Sequence, residues 1–320
     1  MHPLIITKSY RINYLKKQFK DSVGYDLDLE SPRTFNEKLQ WYKLNYWDKL
    51  MLVCADKIAV RNYVKNLLSD DVLIPLAGKG VYDSVDEIDF ESLPTQFVLK
   101  TTNGSGTNIV CKDKSKLDIE ETKNALQEWM KPEYNHYFYS FERCYRGTKP
   151  RIICEEFIQS KTELRDYKFL CFNGKVDMLF VTTDREKGKL TVDFFDRQFK
   201  HLPFTRYYPN TSKKLLKPRN FEKMLKIAEV LSKDFPFCRI DLYDVDGIVK
   251  FGEITFYPGN GMEGFRPKEW DRKLGDMFSL PQKNTRSLYI DLYPNLRSAS
   301  RRVVERAYNK LRGIHSRLNV

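Results

Sequence analysis

The stretch from Asp166 to Asp184, DYKFLCFNGKVDMLFVTTD, constrains the fold more than any other part of the chain. Two runs rich in aromatic and β-branched residues flank Asn173-Gly174, and a type I′ two-residue hairpin turn needs positive φ at both of its central positions, which Asn and Gly adopt most readily. The stretch therefore predicts two antiparallel strands about that turn. After KLTVDFFD, the segment PRNFEKMLKIAEVLSKD sets Phe221, Met224, Leu225, Ala228 and Leu231 on one helical face. The chain then returns to strands in CRIDLYDVDGIVKFGEITF. Upstream, QFVLK and TNIVC read as strands, IEETKNALQEWM as a helix and RIICEEFI as a further strand. The layout is α+β, with one small sheet near residues 93–158 and another near 164–256. It lacks the regular strand–helix alternation of a doubly wound sheet.

The first fifty residues read as helical and aromatic. SPRTFNEKLQWYKLNYWDKL offers Ser31 as an N-cap and Pro32 as the first helical residue. In ADKIAVRNYVKNLL, Val60, Val64, Leu67 and Leu68 share a face, with Asp56 as the cap and Lys57 in the first turn.

At 320 residues, 41% apolar and 14% aromatic, the chain can build two or three packed lobes. No run of 18 apolar residues predicts a membrane span, and the charged N-terminus does not read as a secretory signal. The six cysteines are scattered, and Cys154, Cys171 and Cys238 lie in or beside apolar strand-like runs, as small buried hydrophobes do. The expected compartment is the reducing cytoplasm. Four separated histidines argue against a His/Cys zinc site, so a metal here is expected to be hard and oxygen-bound.

Half of the net charge of +12 lies in residues 297–320, where seven basic residues face the single Glu305. Val303, Val304, Ala307, Tyr308, Leu311, Ile314 and Leu318 recur there at helical spacing, which predicts a basic amphipathic helix. Such a helix either docks on an anionic membrane surface or polymer, or packs on its own domain with a solvated basic face. Nucleic-acid binding is disfavoured, because the charge is concentrated in this tail and no helix-turn-helix or aromatic RNA-binding motif accompanies it.

Three stretches could carry chemistry. Lys100 ends a strand-like run before Asn103-Gly104-Ser105-Gly106, where glycine backbone can approach phosphate oxygens; by itself this pattern is more often a plain hairpin tip. RIICEEFI ends in Glu155 and Glu156, either solvated edge charges or a hinge whose backbone and carboxylate face an adenine. In CRIDLYDVDGIVKFGEITF, Arg239 and Asp241 share one face of a strand, and Glu253 and Thr255 share one face of the next. A three-residue loop, Val245 to Gly247, would bring Asp241 and Glu253 to a common face as diagonal neighbours, able to share hard cations. A two-residue Asp246-Gly247 turn would place them on opposite faces, and an Arg239 ion pair with either carboxylate is the plain structural alternative.

Taken in order, the Asp56-Lys57 helix start, Lys100 with its glycine loop, the Glu155-Glu156 strand end, RDYKF, RIDLY and FGEITF resemble the ATP-grasp superfamily. SPRTFNEKLQW, ADKIAVRNYV, LPTQFVLKTTNGSG, RIICEEFI, DYKFLCFNGKV, FPFCRIDLY and FGEITFYPGNG resemble more closely the TupA-like ATP-grasp family of bacterial surface-polysaccharide loci, over roughly residues 30–282.

The resemblance implies two α+β lobes clasping ATP: a helical region over 1–92, a small lobe over 93–160, a large lobe with the metal carboxylates over 161–295, and the basic helix over 296–320. It implies that Lys57 and Lys100 hold the α- and β-phosphates and that Asn103, Gly104, Ser105 and Gly106 form a mobile phosphate lid. Glu155, Glu156 and the backbone of Phe157 and Ile158 would face the adenine, and Asp166 the ribose. Lys168 would lie at the triphosphate, Arg239 would stabilise the transferring phosphoryl group, and Asp241, Glu253 and Thr255 would bind Mg²⁺. Many ATP-grasp ligases carry asparagine where this chain has Thr255, a weaker metal ligand.

The implied activity is a carboxylate–amine ligase that joins a uronic-acid carboxylate of a glycan to an amino acid or other amine through an acyl phosphate. An acidic or lipid-linked saccharide at the inner membrane would suit the basic surface. The alternatives are an ATP-dependent phosphotransferase or glycosyltransferase-like enzyme of polysaccharide assembly, and a non-catalytic glycan-binding scaffold. His136, Tyr139, Arg143, Tyr145 and Arg266 are candidates for the acceptor site.

Overall fold

The computed structural model describes residues 4–6, 8–161, 163–184, 188–284 and 291–293. The expected basic helix over 296–320 lies outside them. In chain order the elements are β1 (Leu4–Ile6), α1 (Lys8–Val23), α2 (Phe35–Asn45), α3 (Lys49–Ala55), α4 (Ala59–Leu67), β2 (Leu76–Tyr82), β3 (Phe97–Thr101), β4 (Asn108–Cys111), α5 (Ile119–Trp129), α6 (His136–Ser140), β5 (Ile152–Glu156), β6 (Asp166–Phe172), β7 (Lys175–Thr183), β8 (Thr191–Asp196), β9 (His201–Leu202), β10 (Thr205–Arg206), α7 (Phe221–Ser232), β11 (Phe237–Val245), β12 (Ile248–Thr255), β13 (Phe265–Arg266), α8 (Glu269–Met277) and β14 (Asp291–Tyr293).

Two antiparallel sheets organise the chain, one of four strands in the order β2-β5-β3-β4 and one of six in the order β12-β11-β6-β7-β8-β9. The β6–β7 hairpin closes as its sequence predicts: Phe172 pairs with Lys175, and Asn173 and Gly174 have φ of 49° and 77°. The small sheet takes in Leu76–Tyr82, which lies within the segment expected to be helical, because β2 pairs along β5 and covers its edge. Alternation gives the small sheet one apolar face, with Phe97, Leu99, Ile109 and Cys154 packed on Leu126 and Trp129 of α5. The opposite face carries Lys100 and Glu155.

The large sheet is covered on both sides. Phe221, Met224, Leu225, Ala228 and Leu231 of α7 are buried in the core that also holds Phe169, Ile240 and Leu242 from one face. On the other face Phe35 of α2 meets Phe172 and Phe237, with ring centroids 6.2 and 5.2 Å apart. Asp166, Asp241 and Glu253 lie on this same face, farther along the strands than Phe172 and Phe237. The α2 helix begins later than Ser31: Thr34 is the N-cap and forms a capping box with Glu37, whose carboxylate accepts from the Thr34 N–H at 2.9 Å. All six cysteines are buried as free thiols. Among the described residues, no helix is long and apolar enough to cross a membrane.

Candidate active site

The turn between β11 and β12 is the two-residue Asp246-Gly247 turn, with Val245 paired to Ile248 and φ of 51° and 94° at its centre. That register alone would separate the carboxylates. A β-bulge corrects it: Leu242 pairs with Phe251, but Asp241 pairs with Glu253, leaving Gly252 as the extra residue. A Cβ on Gly252 would lie 3.1 Å from the Asp241 carbonyl oxygen and 3.1 Å from the Tyr243 ring, so a residue without a side chain fits there. Arg239, Asp241, Glu253 and Thr255 thereby share one face. In the neighbouring strand Lys168 pairs with Asp241 and Asp166 with Tyr243, which adds both β6 side chains to the same face.

The charges on this face interlock. Arg239 donates to both oxygens of Asp241, from Nε at 2.6 Å and Nη2 at 2.7 Å, and from Nη2 to Glu253 Oε1 at 2.7 Å. Lys168 Nζ meets Asp166 Oδ2 at 2.6 Å and also contacts Asp241 Oδ2. Thr255 Oγ1 donates to Glu253 Oε1 at 2.9 Å. Burial pushes the Asp241 carboxyl up against the pull of Arg239 and Lys168. Burial acts upward on Glu253 as well, but Arg239, Lys168 and Lys57 outweigh it and bring its pKa down to about 2. Glu253 is also the more open carboxylate, its side chain 37% exposed against 2% for Asp241.

Across from this face stand the small sheet and the start of α4. Asp56 Oδ1 accepts from the N–H groups of Ile58 and Ala59 at 2.8 and 2.9 Å, capping α4 and fixing Lys57 just ahead of it. Lys57 Nζ donates to the Gly104 carbonyl at 2.6 Å. Burial lowers the Lys57 pKa, with Glu253 drawing it up and Lys100 pushing it further down, so this ammonium lies between the two sheets' charges. Lys100 Nζ is 2.6 Å from Glu155 Oε2.

The loop after Lys100 is pinned at both ends. Thr101 Oγ1 donates to Thr107 Oγ1 at 2.6 Å, and Asn103 Nδ2 to the Trp129 carbonyl at 2.8 Å. Asn103 is buried, so its side chain holds the loop to α5; only Ser105 and Gly106 are exposed. His136 supports the loop from beneath: its Nε2 accepts from the Ser105 N–H at 3.1 Å, and a Cβ on Gly104 would come within 2.5 Å of its ring.

Asp166, Lys168, Arg239, Asp241, Glu253 and Thr255 thus share one face of the large sheet, Lys100 and Glu155 share one face of the small sheet, and Lys57, bonded to the Gly104 carbonyl, lines a cavity with Glu253. Glu156 pairs with Phe97 on the other face of the small sheet and is exposed there, while Phe157 and Ile158 follow β5 half-buried. Of the acceptor candidates, Tyr145 lines a small cavity with Cys54, Lys57 and Glu253. His136 lies under the loop, Arg143 is half-buried, Arg266 is exposed on β13, and the Tyr139 side chain lies outside the described residues.

Sequence reasoning missed Arg61, whose Nη1 is 3.5 Å from Glu155 Oε1. It also missed Asn36, Gln40 and Lys43, buried polar residues of α2 at helical spacing that hold the segment after β12. Asn36 Nδ2 donates to the Glu263 carbonyl at 2.8 Å, Gln40 Nε2 to the Asn260 and Gly261 carbonyls at 2.8 and 2.9 Å, and Lys43 Nζ to the Asn260 carbonyl at 2.9 Å. Their i, i+4, i+7 spacing was the available signal.

Among the described residues no group of three His, Cys, Asp or Glu side chains forms a ready-made metal cage. The donor set at Asp241 and Glu253 is nevertheless hard oxygen, and Mg²⁺ takes one or two protein carboxylates and completes its shell with phosphate and water oxygens. Arg239 and Lys168 bond these carboxylates in the structure, so the site accommodates positive charge. Mg²⁺ fits it with Glu253 as the accessible ligand.

A family model described as TupA-like ATPgrasp matches residues 37–279. No curated protein matches the chain. Among solved structures, the chain is similar to D-alanine–D-alanine ligase from Bacillus anthracis (15% identity, TM-score 0.38, covering 64% of this chain and 57% of that one). It is also similar to D-alanine–D-alanine ligase from Helicobacter pylori (16%, 0.38, 71% and 63%) and to L-amino acid ligase from Bacillus licheniformis (14%, 0.39, 65% and 44%). The chain spans about three-fifths of the length of those D-alanine–D-alanine ligases.

Proposed function

The chain belongs to the TupA-like ATP-grasp family, and from that premise we propose that it is an ATP- and Mg²⁺-dependent carboxylate–amine ligase that attaches an amino acid or other amine to a uronic-acid carboxylate of a surface polysaccharide or its precursor. Its two antiparallel sheets are the lobes of the ATP-grasp fold. The division that serves this reading keeps a small lobe over 93–160, extended by β2 from the helical region 1–92, a large lobe over 161–295, and the basic tail over 296–320.

A carboxylate is a poor electrophile, and ATP supplies the phosphoryl group that turns it into an acyl phosphate, from which an amine displaces phosphate. Negative charge builds on the transferring oxygens, so fixed cations are what the protein must provide. Arg239 and Lys168 supply them from the large sheet. Lys57 and Lys100 supply them from the other side, with Gly104 to Gly106 covering the phosphates. Asp241 and Glu253 would hold Mg²⁺, with Thr255 orienting Glu253 through its hydroxyl. Glu155 and the backbone of Phe157 and Ile158 face the adenine in this reading, and Asp166 the ribose.

The observation that carries the proposal is the bulge at Gly252, which sets Asp241 and Glu253 side by side under Arg239, facing Lys57 and the glycine loop. A sheet built only for packing has no need to gather this many charges on one face. The acidic saccharide and peripheral contact with the inner membrane through the tail draw their support from the positive net charge, and the cytoplasmic location from the scattered cysteines, which are buried as free thiols. Mass analysis of surface polysaccharide from cells with and without the protein tests the reaction class. An amide-linked substituent that disappears with the protein is expected; an unchanged polysaccharide contradicts the proposal.

A further inference from the structure

Glu155 carries two cations, one on each oxygen. Lys100 Nζ lies 2.6 Å from Oε2, and Arg61 Nη1 lies 3.5 Å from Oε1. The three side chains are 20%, 18% and 12% exposed for Lys100, Arg61 and Glu155, so none of the charges is fully solvated. Arg61 lies in the first turn of α4, four residues after Lys57. The same Nη1 donates to the Ile74 carbonyl at 2.9 Å, just before β2, whose Leu76 pairs with Glu155. The guanidinium is thus fixed next to the carboxylate but makes no short bond to it.

If Lys100 serves a phosphate, it must leave Glu155, and a carboxylate this buried is costly to strand without a counter-ion. Resting on the ligase reading above, we propose that Arg61 is a positioning residue for nucleotide: it keeps Glu155 paired when Lys100 leaves that carboxylate for a phosphate oxygen. The 3.5 Å separation closes as Lys100 departs, so the exchange replaces one ion pair on Glu155 with another. Arg61 itself touches neither the nucleotide nor the reacting atoms.

The test is calorimetric titration of Mg-ATP into the full chain, as wild type, Arg61→Met, Glu155→Gln and the double variant. Arg61→Met is expected to raise Kd about tenfold, equivalent to about 1.4 kcal/mol. In the Glu155→Gln background the same change is expected to cost less than about twofold, because no charge remains to be stranded. An equal loss in both backgrounds assigns Arg61 to holding Ile74 alone and overturns the proposal, as does no loss with Glu155 intact. Folded wild-type protein that binds no Mg-ATP overturns the ligase reading together with this one, so the two failures are told apart. Should Arg61→Met not fold, Arg61→Gln, which keeps a donor for the Ile74 carbonyl, takes its place with the same expectations.

Discussion

Asp241 illustrates why residue identity and residue role are different questions. Both its oxygens accept from Arg239 and one also from Lys168, so it serves first as the fixed anion that orients two cations. Glu253 accepts from Arg239 and Thr255 and is the more exposed of the two. Glu253→Gln keeps the shape and the acceptor for Thr255 while removing the charge, and Lys100→Ala removes the proposed phosphate contact. Each is expected to lower amine-dependent ADP release by about 100- to 1000-fold, or about 2.7–4 kcal/mol, without unfolding the chain. Wild-type turnover in either variant contradicts the assignment. The types of these residues were legible in the sequence, because Arg-x-Asp and Glu-x-Thr each repeat with a strand's period. Their meeting was left open by the sequence: a three-residue loop from Val245 to Gly247 joins them and a two-residue Asp246-Gly247 turn parts them. The turn has two residues, and the bulge at Gly252, which has no reliable sequence signal, reunites them.

The α2 helix shows the same limit one level up. Its existence was legible from its apolar residues, but its start moved from Ser31 to Thr34, where a capping box satisfies the first-turn donors. Its buried polar stripe became intelligible only against the segment it holds. Gly259, Asn260 and Gly261 follow one another with φ of 59°, 56° and 61°, a run for which L side chains are poorly suited, and Gln40 and Lys43 tie down the carbonyls it exposes. Burial brings the Lys43 pKa down to about 8, with Glu142 pulling the other way. Between pH 8 and about 10.4 the unfolded chain therefore binds a proton at Lys43 that the folded chain does not, and folding stability contributed by this residue rises with pH. Denaturant unfolding of wild type and Lys43→Met should show the wild type gaining on the variant by up to about 1.4 kcal/mol per pH unit across that window. A difference that stays flat from pH 7 to 10 contradicts a buried, depressed Lys43.

At the scale of the whole molecule, two sheets with separate cores each carry a charged face, and Lys57 links them through the Gly104 carbonyl and the cavity that it lines with Glu253. The α+β layout and the order of the two sheets were legible because each hairpin is local in sequence. The placement of β2 was not, since its partner β5 lies some seventy residues away. The basic tail belongs to this scale too. Removing residues 297–320 is expected to leave Mg-ATP binding unchanged while weakening adhesion to anionic vesicles, an adhesion that should itself fall with added salt as exposed charges are screened over about 8–10 Å; unfolding on truncation would show that the tail is core instead. The account as a whole stands on one cleft that holds a magnesium–nucleotide complex. Thermal unfolding of the intact protein with ATP, with Mg²⁺ and with both tests it most directly: Mg²⁺ and ATP together should stabilise the fold, by about 2.7 kcal/mol when the nucleotide is at a hundred times its Kd, and neither alone should match them. A transition that does not move with both present, or that moves equally with ATP when Mg²⁺ is withheld, would contradict it.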